Sequence, residues 1–415
     1  MRFRCKRADL AQAVAVVASA VPARTSVPIL QNIKVTAADG ELMLTATDLE
    51  MGLRYSVRDV GIQKSGAAVL PAQKLNQIVR DIRDDEVKFD VDGKLCSIEI
   101  EGGQFKLTGA DPQDFPQFPE FDDKKAVRIN VDDFRDMVRK TAFAVSSEPS
   151  RYALTGVLFV IRENEARMVG TDGKRLAYAK KKIKGGPKDE VKVIVPPKAL
   201  HLVERIIAEG DEEIAFEFEE TQMKAKTSAG TLFARLVEGS FPNYEDVIPG
   251  DPDKKVQVNP SELEYRLRLA TSMTDDKSRA VKFQLSKDKL KLFARRITGE
   301  AGEASHEVAV KYAGPDFEIS FNPDFFIDFL KVVAGGRPDV ENSEADTKVE
   351  ARAEAKAEKA KGKKAAKDEK PKAPPPEAAE TPSMITLDLR DKLTAGVIRA
   401  GRDYIYLVMP LTIDV

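Results

Sequence analysis

The stretch Thr171-Asp172-Gly173-Lys174-Arg175-Leu176-Ala177 decides how the rest of the chain is interpreted. It follows an apolar run at residues 156–161 and a polar run at 162–166. An Asp-Gly pair is typical of a turn, and the apolar Leu176 and Tyr178 then alternate as they do in a strand. No catalytic chemistry needs this spacing. The stretch is therefore either an ordinary hairpin turn or the edge of a peptide-binding groove, where a flexible Gly, two cations and an apolar Leu lie side by side.

Length and composition indicate several globular domains. The 415 residues suffice for two to four domains, and the net charge of -2 gives no general indication of nucleic-acid binding. Cys5 and Cys96 lie far apart without metal-ligand spacing, which is typical of a reduced cytoplasmic protein. The N-terminus lacks the apolar region of a signal peptide, and no apolar run approaches the length of a transmembrane helix, so we expect no membrane association.

A set of short motifs recurs in the same order after about 125 residues, which predicts repeated domains rather than a solenoid. The matching pairs are Thr47-Asp48 with Thr171-Asp172, Val69-Leu70-Pro71 with Ile194-Val195-Pro196, and Phe115-Pro116 with Phe241-Pro242. A third round begins near Asn259-Pro260. We therefore predict domains at residues 1–122, 123–250 and 251–415.

Each repeat is expected to combine strands with two helices, because period-two and helical spacings of apolar residues alternate along it. The helices are predicted at residues 7–20, 72–82, 261–273 and 323–333. The strands that bear on the fold are predicted at residues 42–47, 68–70, 87–91, 96–100, 105–108, 384–389 and 397–409.

The third repeat is too long because of an insertion rich in Ala, Lys, Glu and Pro at residues 341–383. Residues 350–383 contain no Val, Ile, Leu, Met, Phe, Tyr or Trp. Such a segment cannot bury enough apolar surface to offset the entropy lost on ordering. We predict a disordered loop between two strands.

Further motifs resemble the bacterial DNA polymerase III beta subunit family, the sliding clamps. The segments that carry the resemblance are Pro28-Ile29-Leu30-Gln31-Asn32, Thr47-Asp48-Leu49-Glu50, Arg151-Tyr152-Ala153-Leu154-Thr155-Gly156, Gly239-Ser240-Phe241-Pro242-Asn243-Tyr244 and Tyr404-Ile405-Tyr406-Leu407-Val408-Met409-Pro410-Leu411, together with residues 171–177. The resemblance covers almost the whole chain outside the insertion. The resemblance implies an α+β fold of three similar clamp domains, each with two helices packed on antiparallel sheets, assembled into a closed ring of two head-to-tail subunits.

The resemblance also implies a function. A sliding clamp encircles duplex DNA without sequence specificity and tethers the replicative polymerase, so no catalysis, cofactor or metal is expected. The implied partners are a second copy of the chain in a homodimer, double-stranded DNA, the DNA polymerase III alpha subunit, the clamp loader and other proteins with clamp-binding motifs.

Partner peptides are implied to bind between the second and third domains. The groove positions carried over are Leu154, Thr171, Gly173, Lys174, Arg175, Leu176, Pro242, Val247, Asn322, Phe325, Met409, Pro410 and Leu411. Three features depart from the family pattern. Lys174 stands where some members have a His, Ser278 occupies a place where an aromatic residue can close the groove, and the chain continues past Leu411 at residues 412–415.

Cations on the candidate inner helices suit contact with phosphates without base recognition. The expected DNA-contacting residues are Arg24, Lys74, Arg80, Arg83, Arg135, Arg139, Lys198 and Arg205. Arg24 is implied by a family loop position, whereas the others are also explained as parts of solvated helix faces. Acidic neighbours such as Asp132 and Asp136 favour that second interpretation. At the subunit interface, Phe105 and Leu107 are expected to meet Met273 of the other copy.

Two other classes of function were weighed against the clamp. An enzyme is disfavoured, because the sequence contains no P-loop, zinc spacing or dinucleotide fingerprint and its two histidines, His201 and His306, belong to different repeats. A cytosolic multidomain β-rich scaffold or interaction protein that does not encircle DNA remains the alternative.

We predict that residues 341–383 are dispensable for folding. Replacing them by a short turn should shift the melting temperature by no more than about a few degrees, because few ordered contacts are lost. Limited trypsin digestion should cut the native chain there first. Protection of the lysines in this segment would contradict the prediction.

Overall fold

The computed structural model describes residues 1–250, 252–275, 279–297, 299–334 and 384–412. The insertion at 341–383, Ser278 and residues 413–415 lie outside the described residues. The chain forms two compact units. The first unit comprises Met1–Val138, Val145–Val169 and Lys180–Phe241, and the second comprises Arg139–Ala144, Gly170–Ala179 and Pro242–Val415.

Six α-helices lie in the described part of the chain, two in each predicted repeat, as the sequence analysis expected. They are α1 Arg7–Ala18, α2 Ala72–Asp81, α3 Val131–Thr141, α4 Pro197–Ile206, α5 Pro260–Thr271 and α6 Pro323–Val333. The predicted helix at 323–333 is confirmed at both ends, and the other three differ by one or two residues. Proline at the first position and an Asn cap begin both helices of the third repeat: the side chains of Asn259 and Asn322 accept hydrogen bonds from the amides of Glu262 and Asp324.

The described strands are antiparallel to their neighbours. In the first repeat they are β1 Arg2–Lys6, β2 Asn32–Ala38, β3 Glu41–Thr47, β4 Met51–Val57, β5 Gly61–Lys64, β6 Gly66–Pro71, β7 Glu86–Asp92, β8 Leu95–Ile100 and β9 Gly103–Thr108. Next come β10 Val127–Asn130, β11 Val157–Arg162, β12 Glu165–Thr171, β13 Arg175–Lys182, β14 Val191–Val195, β15 Glu213–Phe218, β16 Gln222–Lys226 and β17 Gly230–Arg235. The remainder are β18 Lys254–Val258, β19 Val281–Ser286, β20 Lys289–Arg296, β21 Gly302–Lys311, β22 Phe317–Phe321, β23 Ile385–Leu389, β24 Gly396–Arg399 and β25 Tyr404–Val408.

One strand prediction needs correction. The run predicted as a single strand at 397–409 forms two strands, β24 and β25, joined by a turn. Gly401 in that turn has a φ of 71°, in the left-handed region that glycine adopts readily. A sequence signal for the break does exist, because the polar residues Arg399, Arg402 and Asp403 lie around this glycine.

In the first unit, backbone pairing joins the first repeat to the second. One sheet has the order β5-β1-β7-β8-β9, and an eight-stranded sheet has the order β10-β15-β16-β17-β4-β3-β2-β6. The junction between repeats is the β17–β4 pair, in which Leu232 lies opposite Leu53. Along β2, buried and half-buried residues alternate, as expected for a strand with one face on the core. Helices α1 and α2 pack against each other, and α1 also contacts β4.

In the second unit, the strand order is β25-β24-β23-β18-β21-β20-β19-β22. Residues 175–179 of β13 pair with β25, and Leu176 lies opposite Leu407. Helices α5 and α6 pack against each other. Aromatic residues dominate this core, since Phe283, Phe321 and Phe326 lie with ring centroids 5.0–5.3 Å apart and are fully buried.

A turn at residues 47–51, the first turn, connects β3 to β4. The hydroxyl of Thr47 donates to the carbonyl of Met51 at 2.8 Å and accepts from the amide of Leu49 at 3.0 Å. The carboxylate of Asp48 accepts from the amide of Met51 at 2.7 Å. These local bonds satisfy the backbone groups that leave the sheet at the turn.

The second turn, at residues 171–175, has the same hydrogen bonds. The hydroxyl of Thr171 donates to the carbonyl of Arg175 at 2.6 Å and accepts from the amide of Gly173 at 3.1 Å. The carboxylate of Asp172 accepts from the amide of Arg175 at 2.9 Å. The sequence match between the two Thr-Asp pairs is therefore confirmed as a structural repeat. Residues 171–175 therefore form a turn, as their Asp-Gly pair indicates.

The two turns differ at their left-handed residue. Leu49 has a φ of 75°, and the corresponding Gly173 has a φ of 85°. A side chain in this region costs about 1–2 kcal/mol, and Leu49 is 48% exposed, so packing compensates little of that cost.

This difference gives a paired prediction. Leu49→Gly should raise the free energy of unfolding by about 1 kcal/mol or leave it unchanged, because relief of strain exceeds or balances the added chain entropy. Gly173→Ala should lower it by about 1 kcal/mol. Thermal melts of the two variants beside the unchanged protein measure both effects. Destabilisation by Leu49→Gly of more than about 1 kcal/mol would show that its side chain packs more than its exposure indicates.

Candidate functional site

The second turn lies against the C-terminal segment of the chain within the second unit. The amide of Met409 donates to the carbonyl of Lys174 at 2.8 Å, and the amide of Leu411 donates to the carbonyl of Ser320 at 2.8 Å. Residues just after β25 are thus held by backbone bonds to both the turn and the end of β22. The first of these bonds joins residues that are more than 230 positions apart in sequence.

The centre of this region is a buried guanidinium. The Nε of Arg175 donates to Asp172 Oδ2 at 3.1 Å, and NH1 donates to Asp328 Oδ2 at 2.5 Å. NH2 donates to the carbonyl oxygen of Phe143 at 3.1 Å. The carbon of the guanidinium lies 4.8 Å from the ring centroid of Phe325 and 5.4 Å from that of Phe143. We call these five residues the Arg175 cluster.

Burial sets the electrostatics of the cluster. The side chain of Arg175 is 12% exposed and that of Asp328 is 19% exposed. Burial opposes the charge of Arg175, but Tyr406, Asp328 and Asp172 together raise the pKa of the guanidinium. Burial raises the pKa of the Asp328 carboxyl, and Arg175 opposes this rise. Burial likewise raises the pKa of Tyr406, whose hydroxyl donates to the carbonyl of Phe325 at 2.9 Å.

Three members of this cluster were not among the predicted groove residues: Phe143, Asp328 and Asp172. A signal for Asp328 did exist. It lies within the apolar run Phe325-Phe326-Ile327-Asp328-Phe329-Leu330, where a carboxylate is costly to bury without a partner. No comparable signal marked Phe143, because only its backbone carbonyl and ring face take part.

The predicted groove residues of the second unit differ widely in exposure. Thr171 and Leu176 are buried, at 7% and 5% exposed, whereas Val247 and Met409 are 53% and 46% exposed. Lys174, Gly173 and Pro242 are exposed, and Arg175, Asn322, Phe325, Pro410 and Leu411 are half-buried. Leu154 belongs to the first unit, where its carbonyl accepts a hydrogen bond from the amide of Ser146.

The candidate DNA-contacting cations all reach the surface to some degree. Arg24, Lys74, Arg80, Arg83, Arg135, Lys198 and Arg205 are exposed, and Arg139 is half-buried. Some of them lie beside carboxylates, in the pairs Arg80–Asp81 at 3.2 Å, Arg135–Asp132 at 4.0 Å and Lys198–Asp48 at 3.4 Å. Exposed pairs of this kind contribute about 0–1 kcal/mol, so they can be exchanged for phosphate contacts at little cost.

The candidate interface residues carry exposed apolar surface. Phe105 is 38% exposed and Met273 is 37% exposed, and Leu107 is half-buried. Phe105 and Leu107 lie on β9, an edge strand of the five-stranded sheet of the first unit. An uncovered edge strand with apolar side chains is suited to pairing with another chain.

The part of the chain that the structure describes offers neither a cluster of metal ligands nor a membrane-spanning helix. It holds no group of three or more His, Cys, Asp or Glu side chains that could bind a metal ion. None of its helices is long and apolar enough to cross a membrane. One cavity, of about 370 Å³, is lined by Asn130, by residues at the start of α3 and by residues 207–212.

Three domain signatures match the chain in order. The signature described as DNA polymerase III beta subunit, N-terminal domain, matches residues 1–119. The central-domain signature of the same subunit matches residues 128–243, and the C-terminal-domain signature matches residues 245–358.

Similar proteins carry corresponding names. The Beta sliding clamp of Chlamydia muridarum (strain MoPn / Nigg) is 31% identical over 332 residues, which are 80% of this chain and 90% of that protein. The Beta sliding clamp of Escherichia coli (strain K12) is 29% identical over 334 residues, again 80% and 90% of the two chains. The solved DNA polymerase III subunit beta from Pseudomonas aeruginosa has a TM-score of 0.83 and 26% identity, and the match covers 100% of both chains.

The exposures predict different outcomes for two groove candidates. Met409→Ala should lower the free energy of unfolding by less than about 1 kcal/mol, because its side chain is half exposed. Leu176→Ala should lower it by about 2–4 kcal/mol, because it leaves a cavity among buried residues. Thermal melts measure this contrast.

In the same samples, a labelled peptide copied from the C-terminal segment of a replicative polymerase should bind Met409→Ala at least about ten-fold more weakly. Tyr265→Ala, at a residue of α5 that is 54% exposed, is the matched control and should bind normally. Normal peptide binding by Met409→Ala would remove Met409 from the site.

Proposed function

We propose that this chain, which belongs to the bacterial DNA polymerase III beta subunit family, works as a DNA sliding clamp in replication. The observation that supports this function most strongly is the ordered match of three clamp domains together with the repeated fold. Members of the family are non-enzymatic processivity factors. Their partners include DNA and polymerase. The scaffold alternative is not favoured, because it explains neither the three ordered domain matches nor the relatives.

The proposed assembly is a closed ring of two head-to-tail copies. Such an interface joins two different surfaces, so it must close to avoid filament growth. Phe105 and Leu107 at the edge of β9 would supply one surface, and Met273 after α5 would supply the other. Their exposed apolar area supports this role, because removing apolar side chains from water lowers the free energy of the assembly. The domain boundaries at 122 and 250 belong to the same proposal.

DNA would be held by charge alone. The exposed cations Lys74, Arg80, Arg83, Arg135, Lys198 and Arg205, together with Arg139 and Arg24, would exchange weak surface pairs for phosphates. Contacts of this kind are independent of base sequence and weaken steeply with salt, which suits a protein that must move along DNA.

Partner peptides would bind beside the second turn. Exposed Met409 and Val247 offer apolar contacts, the half-buried Phe325 and Leu411 extend them, and Lys174 offers a cation at the rim. Leu154 of the first unit stays a prediction for the same groove. We propose the DNA polymerase III alpha subunit and the clamp loader as the partners, and we expect the protein to act in the cytoplasm, where its buried free thiols Cys5 and Cys96 would stay reduced.

The test of the proposed function is topological. Protein assembled on nicked circular DNA by a clamp loader should stay with the DNA through gel filtration, and linearising the DNA should release it. Phe105→Arg should sediment as a monomer and fail to be retained, because a buried unpaired charge opposes the interface. Leu393→Arg, at a residue that is 70% exposed, is the control and should behave as the unchanged protein. Equal retention on linear and circular DNA would contradict encirclement.

A further inference from the structure

The two turns allow a comparison of positions inside one chain. The amide of Arg235 donates to the carbonyl of Glu50 at 2.8 Å, just as Met409 donates to Lys174. The amide of Val237 donates to the carbonyl of Ile194 at 2.8 Å, just as Leu411 donates to Ser320. These bonds fix the correspondence between the two regions without reference to side chains.

The same correspondence shows what replaces the Arg175 cluster at the first turn. Counting from the matched carbonyls, Met51 stands in the place of Arg175, Ala199 in the place of Phe325 and Leu202 in the place of Asp328. Leu202 and Ala199 are buried. Apolar residues therefore occupy the positions of Arg175 and Asp328 beside the first turn, and the turn is joined to α4 by the partly exposed pair of Asp48 with Lys198 at 3.4 Å.

This contrast argues that the cluster is not needed for folding. Burying a guanidinium and a carboxylate costs free energy of desolvation, and apolar pairs of similar volume are often at least as stable. The first unit has apolar residues at the positions of Arg175 and Asp328, and the ammonium of Lys198, which pairs with Asp48 there, is half exposed rather than buried. The ion pair in the second unit is thus retained for something other than the stability of the turn.

The geometry of Arg175 also leaves it little room to meet a ligand. Its three nitrogens each donate within the protein, to Asp172, Asp328 and the carbonyl of Phe143. Rings of Phe143 and Phe325 lie near the guanidinium, and only 12% of the side chain is exposed. By contrast, Lys174 beside it is exposed.

What needs fixing is the turn itself. Gly173, with its φ of 85°, allows the second turn more conformations than a residue with a side chain would. Arg175 bridges Asp172 on the turn and Asp328 on α6, and these charge-assisted hydrogen bonds restrain the second turn. Lys174 and the ring of Phe325 are then held at a set spacing.

We propose that Arg175 is a positioning residue that acts through Asp328 to fix the second turn on α6, and that the partner peptide binds the surface so formed without contacting the guanidinium. The proposal rests on the proposed function, because it concerns the same peptide site. It assigns Asp328, which no peptide is expected to touch, a part in peptide affinity.

The decisive variant copies the first turn into the second. Arg175→Met combined with Asp328→Leu should melt within about a few degrees of the unchanged protein, yet bind the labelled polymerase peptide at least about ten-fold more weakly. The control is Arg399→Met combined with Asp388→Leu. That pair, at 3.0 Å, also lies in the second unit, and Arg399 pairs with Ile405 at the end of β25 remote from Met409. The control should bind normally.

Asp328→Asn decides the question if the double variant does not fold. It keeps the shape of the side chain and frees Arg175 from its carboxylate on α6. A positioning role predicts weaker peptide binding, at least about five-fold, whereas an arginine that contacts the peptide would bind as well or better. Unchanged or tighter binding by Asp328→Asn, or normal binding by the double variant, overturns the proposal.

A pH series adds a readout that loss of packing would not change. Because its pKa is raised in the folded protein, Asp328 takes up a proton at higher pH than an exposed Asp, so peptide affinity should fall on acidification through that range. The charged and titratable groups that face it are Arg175, Lys331, Asp324, Asp172 and Tyr406. Asp328→Asn should lack this fall, and a fall of the same size in the variant counts against the proposal. Failure of the unchanged protein to bind the peptide at any pH would instead count against the proposed function.

Discussion

A buried cation must be surrounded by its partners, and this constraint organises the second unit around Arg175. Desolvation would be prohibitive if any of its three donor directions were empty. The two carboxylates and the carbonyl that fill them come from the turn after β12, from α6 and from the segment after α3. Three parts of the chain far apart in sequence are therefore held to one small volume. Hydrophobic contacts alone would join them with much less directional control, since they depend on area rather than angle.

The first turn meets the same architectural need by a different route. Its hydrogen bonds are the same as those of the second turn, but Leu49 occupies the left-handed position, and apolar residues occupy the positions of Arg175, Phe325 and Asp328. The first turn is thus restrained by Leu49, whose side chain limits its conformations, and by the partly exposed pair of Asp48 with Lys198 on α4. The second turn has a glycine at the same position and is restrained by the buried hydrogen bonds of Arg175 to other segments. Externally restrained elements are the ones whose position can change with charge or ligand, which suits the copy where partners are proposed to bind.

Much of this was accessible from the sequence. Period-two and helical spacing located five of the nine strands of the first repeat and both helices of the first and third repeats, and the ordered Thr-Asp and Phe-Pro pairs revealed the repeat. The break between β24 and β25 has a sequence signal, Gly401 among Arg399, Arg402 and Asp403, but the apolar residues on both sides predict a single strand when that signal is given no weight. The Arg175 cluster was missed for a different reason. Residue types mark Arg175 as a cation, but which carboxylate it meets is decided by strand register over more than 150 residues, and the carbonyl of Phe143 has no signature in the sequence at all.

The joints between repeats are made of main chain. In the first unit, β17 pairs with β4, and in the second, residues of β13 pair with β25, through amides and carbonyls that every residue except proline possesses. A connection of this kind tolerates replacement of the side chains around it. After gene duplication, the side chains beside each junction could therefore diverge freely. The β13–β25 junction could acquire a binding surface for partners, while the β17–β4 junction only held its two repeats together. Relatives with about 30% identity can share the architecture for the same reason.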